Sequence, residues 1–118
     1  MKGQVYVHPD QPMPAPVIRL WHVLDMIQLP YVKVYWVGGR QNRNYGYYLP
    51  AVVSYRPGIQ HRLAVDFLGV FGHWVVGNRK RSLRCSEMGM EYLALQRDLP
   101  QADMMTQLRS VLSRLRGE

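Results

Sequence analysis

One cysteine, Cys85, stands in 118 residues, so an internal disulfide and a thiolate zinc cage are both excluded. Acid is scarce as well: eight Asp and Glu face fifteen Lys and Arg, a formal charge of +7. That imbalance argues against a cationic partner and favours a polyanion, nucleic acid before an anionic membrane. No run reaches the roughly 20 apolar residues of a membrane span. The start, Met1-Lys2-Gly3-Gln4, lacks the apolar stretch of a signal peptide, so a cytoplasmic protein is expected.

Catalytic signatures are sparse too. His8, His22, His61 and His73 are scattered, without the i, i+4 pairing and glutamate of a helical zinc site. The carboxylates form no recognisable metal cluster, and Gly38-Gly39 lacks the later Gly-Lys-Ser/Thr of a phosphate loop. Asp66, in an apolar stretch, suits a buried and paired carboxylate with a structural role. Cys85 beside Arg84 reads as a small core residue. The expectation is a non-catalytic protein with neither cofactor nor metal.

What is present is enough apolar sequence for one domain with a real core. Pro9, Pro12, Pro14 and Pro16 mark residues 1–16 as an extended, proline-rich arm. Val17 to Gln28 has helical spacing in Val17, Leu20, Trp21, Leu24 and Ile27, and Pro30 stops it. Val32 to Val37 and Tyr45 to Tyr55 are extended aromatic runs that pair as a hairpin, with Pro50 arguing for an edge strand or a break. Ile59 to Phe71 fits either period: Ile59, Leu63, Phe67 and Val70 make a helical face, whereas Leu63, Val65, Phe67 and Phe71 make a strand face. Its length favours a helix through Leu68.

Strand, turn and strand are expected over His73 to Ser86, with Gly77-Asn78 at the turn and Arg79, Lys80, Arg81 and Arg84 at and just after it. A helix from Ser86 to about Arg97 follows. A last amphipathic helix, Gln101 to Arg116, carries Met105, Leu108, Val111, Leu112 and Leu115 on one face. That face either docks on its own domain or pairs with a second copy, a homodimer through residues 101–116 being favoured. The domain plan is therefore an arm at 1–16, one α+β domain at 17–100, and a terminal helix at 101–118.

The segment Ser86-Glu87-Met88-Gly89, with Tyr92 and Leu93 behind it, resembles the stretch that follows the wing in winged-helix DNA-binding domains. The resemblance covers roughly residues 59–116, and the terminal helix looks like the pairing helix of MarR-like regulators. It implies a winged-helix-like α+β domain with an aromatic β-hairpin inserted in its middle. On that reading Gln60, His61 and Arg62 open a groove helix that meets base edges, and Arg79, Lys80, Arg81 and Arg84 contact phosphate from the wing. The implied function is a duplex-DNA-binding regulator or accessory factor.

Arg40 and Arg43, interleaved with Tyr45, Tyr47 and Tyr48, suggest a second possibility: phosphates neutralised by arginine and bases stacked on tyrosine. That would make the chain a small β-rich binder of single-stranded DNA or RNA. A basic protein that inhibits a protein partner is the third reading.

Overall fold

A computed structural model describes residues 5, 7–38, 46–69 and 77–118. Arg40, Arg43 and Tyr45, and the first strand expected at His73 to Val76, lie outside the described residues.

Helix α1 spans Ala15–Ile27 and begins, as the proline spacing predicts, with Pro16 in its first turn. It ends at Gln28, whose left-handed φ of 65° lets its N–H reach the carbonyl of Leu24 at 3.1 Å. Strands β1 (Tyr31–Gly38) and β2 (Gly46–Ser54) pair antiparallel, and β2 pairs antiparallel with β3 (Arg62–Phe67). Helix α2 (Asn78–Glu87) then crosses to β4 (Glu91–Leu95), which lies parallel to β3. Helix α3 (Gln101–Leu115) closes the chain. The sheet order is β1-β2-β3-β4.

Two apolar clusters separate the faces of this sheet. Val17, Leu20, Val23 and Leu24 of α1 and Met104, Leu108 and Leu112 of α3 pack on Ala51, Val53, Leu63, Val65, Phe67 and Leu95. On the opposite face α2 contributes Cys85 over Val37, Tyr47, Leu49, Val52 and Ala64. The result is a three-layer α/β/α domain, with each full burial of a Leu, Val or Phe stabilising it by about 1.5–3 kcal/mol. Val5 and Val7 are buried in the first cluster, so these two residues of the expected arm belong to the core.

Four expectations change. The Ile59 to Leu68 segment is not a groove helix: 62–67 is strand, because Leu63, Val65 and Phe67 alternate with Ala64 and Asp66 between two partner strands. The basic stretch is not a wing, since Asn78–Glu87 is helical. The Ser86 to Arg97 helix is instead the end of α2, a turn at Met88–Gly89 with Gly89 at φ 76°, and β4. The aromatic pair β1–β2 is half of the sheet rather than an insertion, and Pro50 sits in an interior strand. Pro50 is tolerated there because the β1–β2 pairing skips it and the pairing with β3 starts only at Ala51. Helix α3 docks on its own domain, one of the two arrangements expected: Met104, Leu108 and Leu112 are buried in the core, and Met105, Val111 and Leu115 of the expected face pack half-buried against it.

Candidate nucleic-acid interface

The C-terminal end of β3 and the first turn of α2 are locked together by one polar network. Asn78 donates from Nδ2 to the Phe67 carbonyl and to the Tyr92 hydroxyl, both at 2.9 Å, and accepts from the Gly69 N–H at 3.0 Å. Three residues on, Arg81 points the same way and is 3% exposed. Its Nε and Nη2 hold the two oxygens of Asp66 at 2.6 and 2.9 Å, a bidentate pair. Tyr92 donates to Asp66 Oδ2 at 2.6 Å, and the Phe67 N–H to Oδ1 at 2.9 Å. The Asp66 carboxylate is thus saturated, as a buried charge must be.

Tyr47 completes the floor. Its ring lies 4.1 Å from the Arg81 guanidinium carbon, and its hydroxyl donates to the Arg81 carbonyl at 3.0 Å. Burial pushes the phenols of Tyr47 and Tyr92 up, the Asp66 charge adding to both, so each remains a donor. Burial likewise pushes the Cys85 thiol up, which leaves it a packed and unreactive group. The network positions α2; every oxygen of its carboxylate is already in use.

Helical geometry then dictates what α2 shows to solvent. With Asn78, Arg81 and Cys85 inward, Arg79 and Lys80 fall on the outer side and are exposed. Neither makes a hydrogen bond or ion pair among the described residues. Arg84, half-buried, donates from Nε to the Gly38 carbonyl at 2.9 Å and lies 3.4 Å from Glu87, which ties α2 to the end of β1. The first turn of α2 contains no acidic residue. Cations there face the positive end of the helix dipole, which destabilises by about 0.3–1 kcal/mol each.

The residues expected to act together are divided between two ends of the sheet. Gln60, His61 and Arg62 lie at the β2–β3 connection, where β3 starts, whereas α2 starts where β3 ends. Arg62 is bound by the Ile59 and Met88 carbonyls and by the Tyr35 hydroxyl, and His61 packs edge-on against Tyr55. A concavity of about 600 Å3 at that far end is rimmed by Arg56, Arg62 and Arg116, of which Arg56 donates to the Arg116 carbonyl. Tyr47 is buried and cannot offer a ring face to a base, and Tyr48 is half-buried.

Asp66 matches its expected role as a paired structural carboxylate. Asn78, expected only as a turn residue, and Tyr92, quoted only in the resemblance, carry no spacing signal for this network, since each is a lone amide or phenol. Trp36 was missed because strict alternation along β1 does not hold. No three of His, Cys, Asp and Glu come together as a metal site among the described residues, and no helix there is long and apolar enough to cross a membrane. Comparison with protein-family models, curated proteins and solved structures finds no match for the chain.

Proposed function

We propose that the protein binds nucleic acid through its phosphates, using the outer side of the first turn of α2. The observation that carries this reading is the placement of Arg79 and Lys80. Both are exposed, unpaired among the described residues, and set where the helix already presents positive charge. A sequence shaped by stability alone would place acid there. An anion that accepts from the guanidinium and the ammonium offsets the cost. The formal charge of +7 adds long-range attraction for such a partner. Arg81 has the separate task of fixing the helix on the sheet, and Arg84 of fastening it to β1.

The test is fluorescence anisotropy with a labelled oligonucleotide at several salt concentrations, comparing the natural chain with the Arg79→Ala/Lys80→Ala double variant. The affinity is expected to fall on every sequence, and the slope of log K against log salt to flatten by about 1.4–1.8. Equal affinity and equal slope in the two proteins would remove the proposal.

A further inference from the structure

Trp36 is a large apolar side chain that the fold holds firmly and leaves 44% exposed. It projects from β1, an edge strand, on the side opposite Tyr35 and Val37, which pack in the α2-side cluster. Tyr48 braces the indole with ring centroids 4.9 Å apart at 56°, and His8 braces Tyr48 edge-on at 5.4 Å. Beneath the indole the neighbouring positions have no side chains. A Cβ on Gly46 would lie 2.5 Å from Trp36 Cη2, and one on Gly38 would lie 3.1 Å from Nε1. The ring therefore lies down on bare backbone, fixed from below and from one side before any ligand arrives. Such pre-ordering lowers the entropic cost of binding.

It also sits beside the end of β1 to which Arg84 fastens α2, since Arg84 bonds the Gly38 carbonyl. A rigid, partly open indole on a chain of formal charge +7 meets a nucleobase by its face. In a duplex those faces are covered by neighbouring bases, and only edges are offered.

We infer that Trp36 is a stacking surface for an unpaired base, and that the nucleic acid taken is single-stranded or carries a splayed nucleotide. This rests on the phosphate-binding reading above and specifies its substrate class. The base covers the open indole, and the strand crosses the β1 edge of the sheet to reach Arg79 and Lys80 on the α2 side.

The experiment compares three fluorescent probes of about 12 nucleotides at low salt: a single strand, a strand of equal length and charge made of abasic units, and a duplex. Binding is measured for the natural chain, Trp36→Ala and Trp36→Phe, with far-UV circular dichroism confirming the fold of each. The natural chain is expected to hold the single strand about tenfold more tightly than the abasic strand or the duplex. Trp36→Ala is expected to make single and abasic strands equal without altering the salt slope, while Trp36→Phe keeps part of the difference. Equal binding of single and abasic strands by the natural chain overturns the stacking inference and leaves phosphate binding intact. So does a Trp36→Ala loss that is the same on both, or a shift in sedimentation showing that Trp36 joins two copies. Failure to bind any probe overturns both readings.

Discussion

Val34 and Pro50 stand opposite each other across β1 and β2, at the one rung where both strands turn their side chains over. The neighbouring rungs pair Lys33 with Ala51 and Tyr35 with Leu49, so the register is unbroken on either side. Before this rung Tyr31 packs on the α1/α3 side; after it Tyr35 and Val37 pack on the α2 side. In β2, likewise, Ala51 and Val53 share a cluster with Tyr48 rather than with Leu49. Val34 takes a φ of 53°, a genuine departure for a β-branched residue, and Pro50 has no N–H to give to the ladder. The Pro50 carbonyl accepts instead from Trp21 Nε1 at 3.1 Å, which ties the rung to α1. This turnover sends Trp36 away from α2 and onto bare backbone.

Gly46 is expected to tolerate no side chain. A Cβ there would lie 2.5 Å from Trp36 Cη2 and 2.7 Å from the Val37 carbonyl oxygen, and backbone cannot yield as a flexible side chain can. Gly46→Ala should cost about 1–3 kcal/mol in urea unfolding and shift the indole's emission as it lifts. Gly38→Ala, whose nearest contact is 3.1 Å, should cost less. Equal stability of the two variants would show that the indole does not lie where it is described.

The elements with a clean apolar period were legible in the sequence. Helices α1 and α3 bury Leu20, Leu24, Leu108 and Leu112 at helical spacing, and both strands of the β1–β2 pair were placed to within a residue or two. Helix α2 was not, because its buried residues are Arg81 and Cys85. A helix that docks through a guanidinium has no hydrophobic stripe to detect, so its charges read as a turn. Strands β3 and β4 were misread as helix for a different reason. Leu63 to Phe67 becomes a strand through pairing with Val53 and Leu93, partners distant in the chain. Of the proposed binding surface, only Arg79 and Lys80 could be named in advance.

The Asp66–Arg81 pair should show the asymmetry of a buried ion pair. Asp66 is 1% exposed and Arg81 3%. Removing one partner leaves the other charged and uncompensated, so Arg81→Met or Asp66→Asn should each cost about 3–5 kcal/mol in denaturant unfolding. The double variant should cost clearly less than the sum of the two. Additive losses would mean that the two groups are stabilised separately.

Alkaline solution should weaken the fold through its tyrosines. Burial first, then the Asp25 hydrogen bond at 2.5 Å, pushes Tyr31 up to about 12, and Tyr47 and Tyr92 are also pushed up. Raised values mean that the folded state holds these protons more tightly than the unfolded chain. The stabilisation is therefore complete below the ordinary phenol value of about 10 and is lost as pH climbs through it toward the folded values. Urea unfolding between pH 8 and about 11.5 should show stability falling once the unfolded phenols ionise. Tyr92→Phe should start from lower stability, having lost its bond to Asp66, and then fall less steeply. An unchanged slope in that variant would show that Tyr92 does not contribute to the linkage.

Charge reversal on α2 should separate stability from binding. Arg79 and Lys80 oppose the helix dipole, so replacing either with Glu turns an unfavourable interaction into a favourable one. Arg79→Glu and Lys80→Glu should each raise unfolding stability by about 0.3–1 kcal/mol, more at low salt than at high. The same variants should bind a single-stranded probe more weakly than the alanine variants, because a repulsive charge now stands where a phosphate would lie. Gains in stability and losses in affinity at the same two positions are what a surface retained for its partner predicts. If reversal instead destabilises the protein, the two cations are serving the fold, and α2 would no longer mark a binding surface.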